Sequence, residues 1–239
     1  MKKLFVVILS FHAPQALAAC LKSIEAAEIP AGWQKEVLVI NNNLKNRGFS
    51  AGCNLGIKQA LGHGADAVLL LNQDAVVEKD FLGPLLANSS DIVGPVIKFK
   101  RCGKWVYDFG GKINWWLGRT THLERPSVQE FKSSKIDYVS GCAMLIRRPV
   151  LEKIGLLDEA YFLYYEDVDY CLRARKAGFK ISVELKSVIF HELSERKPLA
   201  QRWELAKSNL IFINRWILFW RRPIAWLYWF LISVKILLT

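Results

Sequence analysis

Ala67-Val68-Leu69-Leu70-Leu71-Asn72-Gln73-Asp74 reads as a buried strand that stops at a carboxylate. Its five apolar residues show no alternation, which suits a central parallel strand covered on both faces. The switch to Asn-Gln-Asp sets polar side chains at the strand's carboxyl end, where open α/β sheets hold their ligands. An Asp in that position can also simply close a turn or cap the next segment. What surrounds it in the chain decides between the two.

Upstream, Leu4 to Leu9 forms a first strand and Ser10-Phe11-His12-Ala13-Pro14 a turn. Pro14 suits a first helical turn, and Ala16, Leu17, Cys20, Leu21 and Ile24 recur at helical spacing. Glu36 to Ile40 is a second strand, closing in Asn41-Asn42-Asn43. This βαβ unit implies parallel pairing with a right-handed crossover. In Asn46-Arg47-Gly48-Phe49-Ser50-Ala51-Gly52-Cys53-Asn54-Leu55-Gly56, Gly48 and Gly52 allow close backbone approach and Ser50 suits an N-cap. Such a loop can present N–H donors to a diphosphate, although it has neither G-x-G-x-x-G nor a P-loop. A helix around Asp80 to Leu86 and a strand from Ile92 to Ile97 follow.

Residues 98 to 135 mix β character with polar loops and read as an excursion over the active face. Trp115 and Trp116 there suit either sugar stacking or a core. Tyr138 to Ile146 is a further strand, with Gly141 and Ala143 letting a ligand approach the sheet. The helix Pro149 to Ile154 comes next.

The densest acidic cluster is Asp158-Glu159 with Tyr164-Tyr165-Glu166-Asp167-Val168-Asp169, continued as a helix that Gly178 stops. Glu166, Asp167 and Asp169 fall in its first turn. Helix-dipole compensation accounts for one such acid; three acids behind two tyrosines exceed that need. A helix N-terminus keeps a carboxylate ionised, as a general base requires. Strand Ile181 to Phe190 ends at His191, which suits a surface or core residue or a metal ligand.

The chain of 239 residues is long enough for one sizeable α/β domain or two small ones. Five widely spaced cysteines without a C-x-x-C pair argue against a disulfide framework or structural zinc, and for a reducing compartment. Met1-Lys2-Lys3 and six apolar residues lack a small-residue cleavage site, so a strand is favoured over a signal peptide. The net charge of +11 calls for an anionic partner. From Arg196 to Arg222 there are seven Lys or Arg and one acidic residue, beside an aromatic, apolar tail. That arrangement points to a membrane surface rather than nucleic acid.

The tail, Leu210 to Trp220 and Ile224 to Leu238, is broken by Arg221-Arg222-Pro223. Each piece is shorter than the roughly 20 residues of a spanning helix. The division expected is a domain over 1–209 and a membrane-associated helical tail over 210–239, lying on the cytoplasmic face of the inner membrane. A buried dimer interface or core helix is the alternative.

Taken together, Val7-Ile8-Leu9-Ser10-Phe11, Asn42, Arg47 to Gly56, Leu71-Asn72-Gln73-Asp74, and Tyr165-Glu166-Asp167-Val168-Asp169 with His191 resemble the family 2 (GT-A fold) glycosyltransferases. The rhamnosyltransferase-like bacterial branch is the most similar, over residues 3 to 215. The resemblance implies a Rossmann-like, mostly parallel α/β sheet flanked by helices. It implies a dTDP- or UDP-linked sugar donor, a divalent metal (Mn2+ or Mg2+) and inversion at the anomeric carbon. By position, Asp74 matches the last carboxylate of the D-x-D metal motif and His191 a residue completing the metal shell. Asp167 matches the general base, with Glu166 beside it. Ser10, Asn41, Asn42, Gly48, Asn54, Asn72 and Gly141 would surround the nucleotide sugar. Two departures stand out: Asn72 fills the first D-x-D position, and Asn41 stands where many relatives have Asp.

The implied activity is sugar transfer to a hydroxyl of a saccharide acceptor, lipid-linked given the tail, in cell-surface polysaccharide synthesis. A membrane-tethered, non-catalytic carbohydrate-binding subunit is one alternative. A sugar nucleotidyltransferase is another, but the turn after the first strand lacks the glycine-rich basic loop such an enzyme needs.

Overall fold

Strand β1 (Lys2–Ser10) pairs in parallel with β2 (Trp33–Asn41) on one side and β3 (Ala67–Asn72) on the other. Helices α1 (Pro14–Ala26) and α2 (Phe49–Gly62) make the connections. The register sets Ser10 opposite Asn41 and Leu9 opposite Asn72, so three polar strand ends line up on one edge of the sheet. The computed structural model describes residues 1–131, 135–191 and 198–238.

Alternate residues of β1 serve two cores. Phe5 and Val7 join Ile57, Tyr161, Val168 and Phe212 on one face, and Leu4, Val6 and Ile8 join Cys20, Ile24 and Phe81 on the other. Residues 67–71 of β3 are buried on both sides, which is why that run has no polar alternation.

Beyond β3 the sheet is mixed rather than mostly parallel. β8 (Ala143–Arg147) lies antiparallel to β3 and β5 (Ile92–Arg101) antiparallel to β8; the hairpin β6 (Lys104–Asn114) and β7 (Arg119–Arg125) extends the sheet from β5. The opposite edge of β5 carries β9 (Ile181–His191) in parallel, and β9 pairs antiparallel with the short β4 (Ala75–Val77). These partners come from chain-distant segments, and apolar runs look alike in either direction.

The strand expected from Tyr138 is shorter than its pattern. Tyr138 makes only a bridge to Gly111, and the chain turns before joining the sheet at Ala143. Ser50 does not cap α2: Gly48 precedes the helix with φ 82°, and the buried Ser50 Oγ donates to the Tyr161 carbonyl at 2.6 Å.

Helices α3 (Leu82–Ala87), α4 (Arg148–Ile154) and α5 (Glu166–Lys176) complete the body, followed by α6 (Leu199–Trp216) and α7 (Arg222–Leu238). The division expected after residue 209 is not where the packing divides. Phe212, Ile213 and Ile217 are buried in the main core, and Arg215 pairs with Asp158. Helix α6 therefore packs as part of the main body, and Ala225 of α7 is buried in the same core. Helix α7 lies on α6 through Ala225 and Trp229, whose indole N–H donates to the Ala206 carbonyl at 2.7 Å. Among the described residues, no helix is long and apolar enough to cross a membrane. Arg196, at the start of the basic stretch, lies outside the described residues.

Candidate active site

The cleft forms where β1, β2 and β3 end. Ser10 is buried, Asn72 half-buried and Asn41 exposed. Gln73, between Asn72 and Asp74, grips the loop after β1: its Oε1 accepts from Phe11 N–H and its Nε2 donates to Phe11 O, both at 2.8 Å. The pattern of a strand end does not announce this two-point clamp.

Three residues expected around the nucleotide are instead occupied within the protein. Asn42 is buried, accepts from Arg47 N–H at 3.0 Å and donates to Asn46 Oδ1 at 3.2 Å, bracing its own loop. Asn54 accepts from Leu157 N–H at 3.0 Å and donates to Leu157 O at 2.9 Å and Glu159 Oε1 at 3.0 Å. That pattern uses the amide to tie α2 to the loop before the acidic helix. Gly48 is required by chain packing: a Cβ there would lie 2.5 Å from the Phe162 carbonyl oxygen. The φ of 82° independently disfavours any side chain.

Asp74 is brought beside His191 by strand pairing, because Ala75 is the register partner of His191. Asp74 Oδ1 lies 3.0 Å from His191 Nε2. Both atoms are buried, and neither has a well-aligned hydrogen bond. One carboxylate oxygen and one imidazole nitrogen converging in this way fit a divalent cation that draws its remaining donors from diphosphate and water. Among the described residues, no group of three or more His, Cys, Asp or Glu could hold a metal without such help.

On the other side, α5 starts from Tyr164 and Tyr165, both with positive φ (70° and 68°). Non-glycine residues held there are strained by about 1–3 kcal/mol each and persist only when surrounding structure fixes them. Helix α6 does so: Ser208 Oγ donates to Leu163 O at 2.8 Å, Asn209 Nδ2 donates to the Tyr165 hydroxyl at 2.9 Å, and Tyr165 packs on Phe212.

The three acids then diverge. Asp169 is fully buried and structural, held by Arg173 Nε at 2.8 Å and the Trp216 indole N–H at 2.9 Å. Asp167 faces a cavity, with Oδ2 accepting from Gly141 N–H and Oδ1 from Val168 N–H, both at 2.8 Å. Burial pushes its carboxyl above the ordinary value, against the pull of those N–H groups and of His122. Glu166 is buried and lines the same cavity. Gly141 was expected to admit the donor; in the structure the acidic turn takes that space, with a Cβ meeting Glu166 Oε1 at 3.3 Å and Asp167 Cβ at 3.4 Å.

The hairpin adds an unforeseen pair. His122 Nδ1 lies 2.7 Å from Asp108 Oδ2, and the His122 ring meets Tyr138 edge-on. Burial lowers the basicity of His122, but Asp108 outweighs it and the pKa is raised. An Asp set between Tyr107 and Phe109, inside the aromatic and apolar run Trp105–Phe109, was the available signal.

A single turn links the two halves of the site. Cys142 O accepts from Asn72 N–H at 2.8 Å, two residues before Asp74, while neighbouring Gly141 donates to Asp167.

Comparison with known proteins agrees with this layout. Residues 24–210 match the family described as "Glycosyltransferase like family 2". The low-salt glycan biosynthesis hexosyltransferase Agl10 of Haloferax volcanii is 30% identical over 57% of this chain and 46% of its own length. The dTDP-rhamnosyl transferase RfbF of Shigella flexneri is 25% identical over 64% and 51%. An N-acetylglucosaminyl-diphospho-decaprenol L-rhamnosyltransferase of Mycobacterium tuberculosis is 35% identical over 38% and 31%. The chain thus spans about half or less of these relatives.

Among solved structures, GalNAc-T7 with UDP, GalNAc and Mn2+ superposes with TM-score 0.68 at 14% identity, over 90% of this chain and 48% of that one. Staphylococcus aureus TarS 1-349 with UDP-GlcNAc superposes with TM-score 0.57 at 16% identity, over 90% and 67%. Identities this low speak for the fold alone. The chain belongs to the family 2 glycosyltransferases and has their GT-A architecture.

Proposed function

We propose that this chain is an inverting hexosyltransferase of the rhamnosyltransferase type. It moves a sugar from a dTDP- or UDP-linked donor to a hydroxyl of a lipid-linked saccharide during cell-surface polysaccharide synthesis. The observation that carries this reading is the Gly141–Cys142 turn, which couples the strand end bearing Asp74 to the carboxylate of Asp167. Leaving-group and acceptor chemistry need two carboxylates with different tasks, fixed relative to each other.

Asp74 and His191 would hold the divalent cation, which when bound supplies charge neutralisation for the departing diphosphate. Ser10, Asn41 and Asn72 flank the nucleotide end. Asp167 takes the proton of the acceptor hydroxyl as its oxygen bonds the anomeric carbon and the carbon–diphosphate bond breaks. A carboxyl raised by burial is a stronger base than an exposed one, and the N–H groups of Gly141 and Val168 aim it. Relatives named for dTDP-rhamnose and a diphospho-decaprenol acceptor support the donor and acceptor classes.

The exposed apolar residues Phe219, Leu227, Phe230 and Leu231, with Arg221, Arg222 and Lys235 close in the chain, support attachment to the cytoplasmic face of the inner membrane. Incubation with dTDP-rhamnose and a panel of UDP-sugars, Mn2+ or Mg2+, and a prenyl-diphosphate-linked N-acetylglucosamine tests the reading. Labelled product that disappears in Asp167→Asn is expected; equal product from that variant and the native chain overturns it.

A further inference from the structure

The cavity in front of Asp167 is lined by both charged and apolar side chains. Its volume of about 360 Å³ lies between the acidic helix start, β7 and the α6–α7 pair. Asp167 and His122 line it. Arg119 and Arg202 line it from β7 and α6, and Trp229, Ile232 and Ile236 of α7 form an apolar wall. Arg119 reaches across to α7, where Nη1 donates to the Tyr228 hydroxyl at 2.7 Å. The Trp229 indole N–H is already satisfied by Ala206 O, so the ring offers the cavity only apolar surface.

Ile232 is 40% exposed and its neighbour Leu231 58%, so the apolar wall continues onto the open face of α7. A site for a free saccharide has no use for such a wall. A membrane-binding face alone has no use for two arginines and a carboxylate beneath it.

Resting on the glycosyltransferase reading above, we infer that this cavity is the seat of the acceptor's lipid diphosphate. Arg119 and Arg202 bind the diphosphate, and Trp229, Ile232 and Ile236 bind the first hydrocarbon units. The acceptor hydroxyl is thereby presented to Asp167. Guanidinium groups suit phosphate oxygens through paired N–H donors. Ligand cavities run from about 300 to 1,000 Å³, so this one holds a diphosphate and a short length of chain. The remaining hydrocarbon runs out over α7 into the bilayer.

Binding to the full-length protein, without donor, tests this with farnesyl diphosphate, inorganic diphosphate, farnesol and phosphatidylglycerol vesicles as probes. Farnesyl diphosphate should bind about tenfold or more tighter than either inorganic diphosphate or farnesol, as the joining of two subsites requires. Arg119→Gln and Arg202→Gln should each weaken farnesyl diphosphate by about tenfold, the loss expected for a charge-assisted hydrogen bond, and leave farnesol unchanged. Ile232→Asp should weaken both prenyl probes and leave inorganic diphosphate unchanged. The ratio between probes within one variant is insensitive to partial unfolding.

Farnesyl diphosphate binding no tighter than inorganic diphosphate overturns the inference. So does loss of vesicle binding in the arginine variants with prenyl affinity intact, which would assign them to bulk lipid headgroups. Transfer to a water-soluble saccharide with no prenyl preference removes this inference and leaves the transferase standing. The expected prenyl pattern with no transfer from any donor removes the transferase reading instead.

Discussion

Gly141 holds Asp167 from the backbone: its N–H donates to Asp167 Oδ2 at 2.8 Å, and its missing side chain leaves the room the acidic turn fills. Gly141→Ala would set a Cβ 3.3 Å from Glu166 Oε1 and 3.4 Å from Asp167 Cβ, so the Glu166 carboxylate beside Asp167 must give by a few tenths of an ångström. Transfer should fall about tenfold or more, because misplacement of reacting groups is expensive in rate. Donor affinity and the melting temperature should stay near native. Steady-state kinetics beside calorimetric donor binding separates the two effects.

Asp167→Asn should retain donor binding and lose transfer by about 10²–10⁴-fold, the value of general-base assistance. More than about a tenth of native turnover would move the base to Glu166. Asp169 is excluded as a substitute, since Arg173, Arg215 and Trp216 all hold it in the interior.

The pH profile has a definite sign. Transfer requires ionised Asp167, whose pKa is raised by burial above 3.8, so log kcat/KM should fall on the acid side through a pKa above the ordinary carboxylate value. Nearby His122 pulls that pKa down. Removing the imidazole in His122→Asn should therefore move the acid limb to higher pH. An unmoved limb in that variant would show that the two groups are not coupled. Stability follows the same linkage: a folded-state pKa above the unfolded one means ionisation destabilises the native state. Asp167→Asn should raise the melting temperature at neutral pH, with the gain shrinking as pH falls through the raised folded-state pKa and gone below the ordinary carboxylate value.

Asp74→Asn should lower donor affinity in the presence of Mn2+ by about tenfold or more, as charged-group contacts contribute roughly 1.5–3 kcal/mol. His191→Ala should act in the same direction with a smaller effect. Titration calorimetry with and without Mn2+, together with the spin-resonance signal of free Mn2+, reads this without relying on turnover. Unchanged Mn2+-dependent affinity in Asp74→Asn removes Asp74 from the metal shell.

Shortening the chain separates the roles of α6 and α7. Ending at residue 209 removes buried Phe212 and Ile213 and strips Asp169 of Arg215 and Trp216. Breaking a buried charge network of this kind costs about 3–5 kcal/mol, so that protein should not fold cooperatively. Ending at residue 221 keeps those contacts; thermal melts should show a single transition, and flotation with anionic vesicles should be lost. If light scattering instead shows loss of an oligomer while flotation persists, α7 is a subunit interface.

The sequence alone determined what local periodicity can carry. The unbroken run Ala67–Leu71 announced a strand buried on both faces, and its abrupt polar end marked Asp74. Helical spacing after Tyr165 set Glu166, Asp167 and Asp169 on one first turn. Only the tertiary structure decided which of those acids faces the cavity and which is sealed beneath Trp216, a partner 47 residues away. It also turned Asn54 toward a loop 103 residues distant, and it paired His122 with Asp108 across a hairpin. The mixed order beyond β3, the three-residue β4 and the membership of α6 in the core were decided at the same level. Backbone periodicity fixes which face a residue takes within its own element. Which element that face meets depends on packing between segments far apart in the chain, and no local pattern records it.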